Sequence, residues 1–587
     1  MTENIIIPVR IKKNYIPKDL GVKLLGTWAL DQEDLGNDKD LTILEYIYDD
    51  FELLHDDHLY TKDLYTKLLP ILGKILNDTH DLNWDIRSLK VFYGSWLQTY
   101  LPVIRERFQT VSKALEENPD DKFFLTNYEI NISSSEEFKK KINEDEYNHF
   151  LYSKLLKFID NERYNKSLSY CLQSKSVSRN VSRGGINLRL KTIFLSNLQI
   201  VLNLFSRNSK SAVDRSYFSL KDFIKLIFWT FPSVMPIVYF PQLNQSKNKF
   251  NQALRDKLTI KLKNFYLAEN IFEEFLLENI FRDVPIDFIE NFKKVYEASN
   301  YINIKDKNIL STNAILFNQV FQCAVANQLS LSKNLIIVQH GGSYGIVRWS
   351  MQEFYELDMA DKFISFGWSR LDYSHIQKIS HPKLLKNFKK NKVTNNKILY
   401  ITWGPSRFFN RSWSNPIAGK SISNYYSNML IFLRNFDTSI GKIYIRLSPS
   451  NYEYKIGIEK FFGPTFNYAD GDFYDEIQSA SLVVCDHNQT TFLESLTNNK
   501  PTIIVWNTDY TKITDTALLY FDELRSAGIF FNSHIEASNY LNDIIAYSSI
   551  DDWWMDSSRQ VVVRSFVENF AKRNVNWIED YKKLLSI

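Results

Sequence analysis

The chain's 587 residues are more than one hydrophobic core organises, so two or more domains are expected. Hydrophobic residues make up 44% and charged residues 24%, the balance of an ordinary globular protein, and an aromatic content of 15% is high. A net charge of +3 with the two signs interspersed excludes a general nucleic-acid binder, which would concentrate its basic residues, but leaves room for a local cationic cleft that takes phosphates.

The opening MTENIIIPVRIKKNY holds three consecutive isoleucines, too short a run for a signal-peptide core, and predicts a short strand. Over 63–80, Leu64, Leu68, Ile71, Leu72 and Ile75 recur at three- and four-residue spacing and predict an amphipathic helix kinked at Pro70. A second long helix is predicted over 86–114, where Leu89, Phe92, Trp96, Leu101, Ile104, Phe108 and Val111 spread along a broad apolar face and Pro102 should bend or break it. KFFLT at 122–126 reads as a buried strand. Residues 135–185 are polar and Ser/Asn-rich, with 174–185 the least ordered-looking part. The most apolar stretch, 223–240, contains Lys225, Pro232 and Pro236, which argue against a spanning helix because interior prolines break the hydrogen-bond ladder. Buried core is the favoured reading there, with peripheral membrane attachment the one to keep if the product is lipid-linked. Cys171, Cys323 and Cys485 lie far apart without metal-ligand spacing, so neither a zinc site nor a disulfide framework is expected and the cytoplasm is the default compartment.

From about residue 307 short apolar runs alternate with helical patterns. Strands are expected at 308–311, 334–338, 398–402, 442–447, 481–485 and 502–506, with helices at 313–328, 423–436, 473–479 and 491–498 between them and a polar linker at 385–397. Such alternation implies parallel sheets covered on both faces, which bind ligands beyond the carboxyl ends of their strands. The final stretch 551–587 reads as helical, and its end could cross back to the first domain.

Three candidate sites sit at such strand ends. Gln339-His340-Gly341-Gly342-Ser343-Tyr344-Gly345 follows the 334–338 strand; its glycines let the backbone turn and approach a ligand, and His340 is an acid or base, or else a packed histidine in an ordinary turn. Asp486–Ser495 follows the 481–485 strand, and Asn488, Thr490 and Thr491 stand where a helix N-terminus would hold a phosphate. Glu494 there serves either ribose hydroxyls or a capping box with Thr491, and the cap is slightly favoured. Arg446 and Ser448 end the 442–447 strand, and Thr402-Trp403-Gly404 the 398–402 strand; Arg446 reads equally as an anion partner or a surface arginine. Glu353, Glu356, Asp358 and Asp361 follow the glycine turn; Glu353 is the candidate base, though a solvated acidic helix face is the commoner meaning of such a cluster. Asp470-Gly471-Asp472 is taken as a helix cap rather than a metal motif.

At these residues the chain resembles the surface-polysaccharide transferases named from a spirochaete O-antigen locus. The resemblance runs nearly full length: Leu25-Gly26-Thr27-Trp28, Trp84-Asp85-x-Arg87, Tyr93-Gly94-Ser95-Trp96-Leu97, Glu146-Tyr147-Asn148-His149, QHGGSYG at 339–345, Glu353, Glu356, Ala360-Asp361-Lys362 and Ser365-Phe366-Gly367-Trp368. It implies an α/β, GT-B-like glycosyltransferase in which two Rossmann-like domains face a cleft, elaborated by a large helical N-terminal part. The expected division is an acceptor-side domain over 1–390 with a helical insertion at about 135–300, a nucleotide-sugar domain over 391–560, and the end helix 561–587. The Gln-His-Gly turn is also similar to that of capsule and lipopolysaccharide enzymes that use CMP-activated 3-deoxy-octulosonate. That similarity implies a CMP-linked acidic sugar as donor, with Arg446 as carboxylate partner. Ser448 departs from the histidine often found before proline in those enzymes, and Phe366 from the family's tryptophan. The implied reaction is metal-independent, inverting transfer, without cofactor, to a surface polysaccharide or lipid-linked glycan. A CDP-linked glycerophosphate-type transferase and a non-catalytic assembly scaffold are the alternatives.

Overall fold

A computed structural model describes residues 4–11, 15–16, 20–30, 41–169, 185–204, 208–215, 217–243, 250–329, 331–385, 397–448, 458–459 and 462–585. Cys171, nearly all of 174–185, and 386–396 of the predicted linker lie outside them. The described residues form three sheets whose recorded strand pairings are all parallel.

The first sheet has the order β3-β2-β1-β4-β5, with β1 Asn4–Ile7, β2 Gly21–Leu24, β3 Thr42–Ile43, β4 Lys122–Leu125 and β5 Leu168–Ser169. The second runs β11-β10-β9-β8-β6-β7, from β6 Ser211–Asp214, β7 Val234–Ile237, β8 Asn308–Ser311, β9 Leu335–Val338, β10 Lys362–Ser365 and β11 Ile376–Lys378. The third runs β14-β13-β12-β15-β16-β17, from β12 Lys397–Ile401, β13 Lys442–Arg446, β14 Asn467–Tyr468, β15 Leu482–Cys485, β16 Thr502–Val505 and β17 Phe530–Phe531. Read within its own sheet, the third has the strand order 3-2-1-4-5-6 of the dinucleotide-binding fold. The central strands β8, β9, β15 and β16 are buried throughout, which is why they read as unbroken apolar runs in the sequence.

The third and second sheets are the paired Rossmann-like lobes the sequence predicts; the first is a further one. Two of its strands, β1 and β4, are legible in the sequence, but β3 and β5 are only two residues long and β2 lacks an apolar run, so the sheet as a whole is not. The span 135–300 also supplies β6 and β7 to the second sheet, besides its helices.

Helices fill the space between the sheets. The helix Phe51–His80 continues through Pro70, capped by Asp50, whose carboxylate accepts from Glu52 N and Leu53 N. The second long helical stretch changes at Lys90–Gly94, a π-helical turn, rather than at Pro102, which lies buried inside the helix Ser95–Glu117. Gly94 sits in that turn because Tyr65 Oη and the Tyr355 ring leave no room for a Cβ. Arg107, wholly buried on Ser95–Glu117, pairs with Glu106 and donates to Asn148 Oδ1 (2.9 Å) and Phe409 O (3.0 Å), tying the first lobe to the loop after β12. The chain end returns to the second sheet. Trp577, Tyr581 and Leu584 of the helix Trp577–Leu584 share a core with Phe218 and Phe223, and Ser211 Oγ donates to Leu585 O (3.0 Å).

Candidate functional site

The QHGGSYG turn leaves the carboxyl end of β9 and is held from below. Gln339 is fully buried; its Oε1 accepts from Phe366 N and Trp368 Nε1 (both 2.8 Å) and its Nε2 donates to Gly341 O (2.7 Å). Both acceptor directions and one of the two N–H donors of this amide are used inside the fold, so Gln339 shapes the turn from within. Gly345, at φ +71°, presses on the Trp368 ring, where a Cβ would come within 2.3 Å. Its N–H donates to Glu353 Oε2 (2.9 Å), and Glu353 Oε1 meets Arg370 (3.3 Å). Glu353 therefore anchors the turn from the first turn of the helix Met351–Met359, capped by Ser350. Gly345 and Tyr344 are buried with it as supports of the turn.

His340 meets the neighbouring carboxylate instead. Glu356 lies one turn further along the same helix, with Oε2 3.6 Å from His340 Nδ1. Tyr344 Oη (2.6 Å) and Gln352 Nε2 (3.1 Å) both donate to Glu356 Oε1, and Gln352 Nε2 is also 3.1 Å from His340 Nε2. Gln352 can only donate to that ring nitrogen, so His340 keeps its proton on Nδ1, facing Glu356. Burial pushes the Glu356 carboxyl up to about 8. Burial also lowers His340 to about 3, assisted by the positive charges of Lys383, Arg411 and Lys139.

Those three cations come from distant parts of the chain. Lys139, on the helix Ser135–Lys141, donates to Leu316 O (2.7 Å) and Ser95 Oγ (3.2 Å), and burial lowers it to about 8. Arg411 lies after β12 with its guanidinium 3.7 Å over the Trp413 ring, and burial brings it down to about 10. Lys383 Nζ stands 3.5 Å over the Tyr217 ring, which itself lies 5.9 Å from His340. Among the described residues none of the three has a carboxylate within ion-pair distance. Sequence reasoning missed all three: Lys139 is the first of three consecutive lysines that read as a solvated helix end, Arg411 and Lys383 sit in unremarkable stretches, and no spacing links the three.

The other lobe meets this group directly. A Cβ on Gly342 would stand 2.4 Å from the Gln489 carbonyl carbon and oxygen and 2.6 Å from Thr490 N, so the glycine turn touches the start of the helix Thr490–Thr497. No side chain caps that helix start. The predicted Thr491–Glu494 capping box is thus not formed: the N-cap position falls on Gln489, two residues too early for that pair. The buried Glu494 instead accepts from Tyr474 Oη (3.5 Å). The first amides of this helix, with Thr490 and Thr491 half-buried beside them, remain an anion-binding feature. Gly342→Ala is expected to force the lobes apart, lowering the melting temperature and cutting turnover at least about tenfold; overpacking of this kind costs roughly 1–3 kcal/mol, readable by thermal melting beside an activity assay.

Beside the helix start, a narrow cavity of about 30 Å³ opens at the carboxyl ends of β12, β15 and β16, lined by Trp403, Asn488, Asn415, Trp506 and His534 among others. Both His534 ring nitrogens, Asn415 Nδ2 and Trp506 Nε1 are buried there without a hydrogen-bond partner. Unmet polar groups at the mouth of a parallel sheet mark a place for a polar ligand. Asn488 Nδ2 donates to Asn415 Oδ1 (2.7 Å), and Trp403 N donates to Tyr425 Oη (2.7 Å). Tyr425 Oη in turn reaches Asp486 (2.9 Å), whose carboxyl burial pushes up to about 7.

Other predicted residues are occupied elsewhere. Thr402 is buried and bonds Arg446 O through N (3.1 Å) and Oγ1 (3.3 Å). The Arg446 guanidinium donates to Ala469 O (2.9 Å) and Gly471 O (2.5 Å), holding the loop before Asp472. Gly404 and Ser448 are half-buried at their strand ends. Asp472 caps the helix Phe473–Ser479, accepting from Tyr474 N and Asp475 N, as expected of that motif.

Parallel-sheet lobes of Rossmann type that meet through their carboxyl-end loops give the chain a GT-B-like architecture. The chain belongs to the LIC12162 family of transferases, whose profile it matches over residues 6–585. No curated protein matches it. Among solved structures it is similar to the wall teichoic acid polymerase TagF (12% identity, 50% of this chain and 84% of that one, TM-score 0.29). It is also similar to MurG of Acinetobacter baumannii (10%, 67% and 95%, TM-score 0.29) and to LpCGTa in complex with UDP (8%, 68% and 96%, TM-score 0.30). Likenesses this distant carry no chemistry over to this chain.

Proposed function

We propose that this chain is a glycosyltransferase that moves a sugar from a nucleotide-activated donor to a glycan acceptor of a surface polysaccharide, in the cleft between the second and third lobes. The observation that carries the reading is the His340–Glu356 pair set among three cations that lack carboxylate partners among the described residues, against an uncapped helix start. His340 Nε2 exchanges the Gln352 N–H, which keeps its bond to Glu356 Oε1, for the acceptor hydroxyl and takes its proton, while Glu356 holds the opposite side of the imidazole and stabilises the imidazolium that forms. The acceptor oxygen bonds to the anomeric carbon as the bond from that carbon to the nucleotide phosphate breaks, inverting the centre. The departing phosphate keeps the electron pair. Arg411, Lys383 and the first amides of Thr490–Thr497 meet its charge, a task otherwise given to a divalent ion, so the reaction is metal-independent. The nucleoside end is directed to the carboxyl ends of β12, β15 and β16, where buried polar atoms of His534, Asn415 and Trp506 lack partners and the narrow cavity has to widen to take it. Residues 391–560 are then the donor lobe and residues 1–390 the acceptor side. The surplus of positive charge around His340 suits a donor with a further negative group, such as a CMP-linked acidic sugar.

Purified protein is expected to release nucleotide from an activated sugar in the presence of a chelator. Absence of turnover across CMP-, GDP-, UDP- and TDP-sugars with a polysaccharide acceptor would sink the reading.

A further inference from the structure

The helix Leu220–Thr230 covers β7, the edge strand of the second sheet, with Phe223, Leu226 and Thr230, and turns its opposite side to solvent. That side carries Leu220, Ile224 and Phe228 at four-residue spacing, then Trp229 and Phe231; Phe228 is 76% and Trp229 56% exposed. A second helix, Gly185–Leu204, lies along the free edge of β7, where Gln199 accepts from Val238 N (2.8 Å). It exposes Ile193, Phe194, Ile200, Val201 and Leu204. Apolar side chains this exposed and this concentrated mark a surface that something covers.

The charges decide what covers it. On Leu220–Thr230 the exposed charged residues are Lys221 and Lys225, and the one carboxylate, Asp222, accepts from Ser219 Oγ (2.5 Å) at the helix start. Lys582, from the terminal helix, stands 5.7 Å over the Trp229 ring but is paired with Glu579 (2.9 Å), so among the described residues the unpaired positive charge of the face is that of Lys221 and Lys225. A second copy docked face to face would set these lysines against their own images. An anionic lipid surface complements them, and a helix with Trp and Phe on one side and lysines beside them is built to lie in the headgroup region. Among the described residues no helix is long and apolar enough to cross a membrane, so attachment in the plane is the available mode.

The geometry points to a peripheral docking face for anionic membranes, formed by Leu220–Thr230 and Gly185–Leu204. The helix starts two residues after Phe218, which follows the Tyr217 that rests against His340, so the face is linked to the site by a short stretch of chain. The full chain is expected to co-sediment with vesicles of equal parts phosphatidylcholine and phosphatidylglycerol, with a blue shift of tryptophan emission, and to bind pure phosphatidylcholine more weakly. Phe228→Ser with Trp229→Ser should lower partitioning at least about tenfold, and Lys221→Gln with Lys225→Gln about thirtyfold on the anionic vesicles alone. All four side chains are exposed, and an unchanged melting temperature verifies that the variants fold. No vesicle binding by the native chain, or equal binding by the Ser variant, overturns the proposal. So does a dimer in solution that the same Ser substitutions dissociate. None of these readings uses a sugar donor, so the outcome is independent of the catalytic assignment.

Discussion

His340→Ala is expected to lower kcat/KM for sugar transfer by about 10²–10⁴-fold while leaving the melting temperature close to native, because the ring meets side chains of the site, Gln352 at 3.1 Å and Glu356 at 3.6 Å, rather than the core. The pH profile separates this role from a packing one. Burial keeps His340 neutral well below the usual histidine range, so no activity limb should appear near pH 6.5. Glu356 is held protonated up to about 8, and only its carboxylate form stabilises an imidazolium. The rate should therefore rise from pH 6 to 9 with an apparent midpoint near 8 that belongs to the pair, and Glu356→Gln should be slow and flat over that range. Stability gives a second reading with the opposite sign. Between about 4.5 and 8 the unfolded chain releases this proton while the folded one retains it, so the native protein loses stability as pH rises through that window. Glu356→Gln lacks the titration, and its melting temperature should gain on the native one from pH 5 to 8. A native profile centred near 6.5, or a parallel stability curve for the Gln variant, would assign the proton to another group.

Arg411→Met is expected to pull stability and donor binding in opposite directions. The Arg411 side chain is half-buried with its guanidinium over Trp413 and has no carboxylate partner among the described residues, and desolvation has already lowered its proton affinity to about 10. Removing an uncompensated, partly desolvated charge while keeping an unbranched apolar chain on the indole should raise the melting temperature of the ligand-free protein. The same change removes charge-assisted hydrogen bonds to the donor's phosphate or carboxylate, worth about 1.5–3 kcal/mol, or roughly 10–150-fold in donor affinity. Calorimetric titration with the activated sugar beside thermal melting reads both. A variant that melts lower and binds the donor unchanged would make Arg411 a structural residue of the Trp413 loop.

The residues of the turn show where sequence reasoning ended. The QHGGSYG motif at the end of an apolar strand pointed to a site, and the Gly342 contact with Gln489 and Thr490 unites it with the helix start chosen from the other half of the chain. The choice of base was not legible. Glu353 and Glu356 are three residues apart on one helix and equivalent in pattern, yet one bonds Gly345 N and the other faces His340. The capping box over Thr491 and Glu494 was a sound local inference that failed by a shift of the helix start to Thr490.

By itself the sequence determined the parallel α/β lobes, the family and the strand ends that carry the site, because these rest on local spacing: apolar runs of four or five residues, helical periodicity and glycines at a turn. Only the tertiary structure decided which carboxylate meets His340, that Gln339 supports the turn from within, and that Lys139, Lys383 and Arg411 converge. Those outcomes depend on how a helix is rotated against its strand and on contacts between segments far apart in the chain, such as Lys139 donating to Leu316 O across 177 residues. Packing sets such contacts, and no short stretch of chain encodes them.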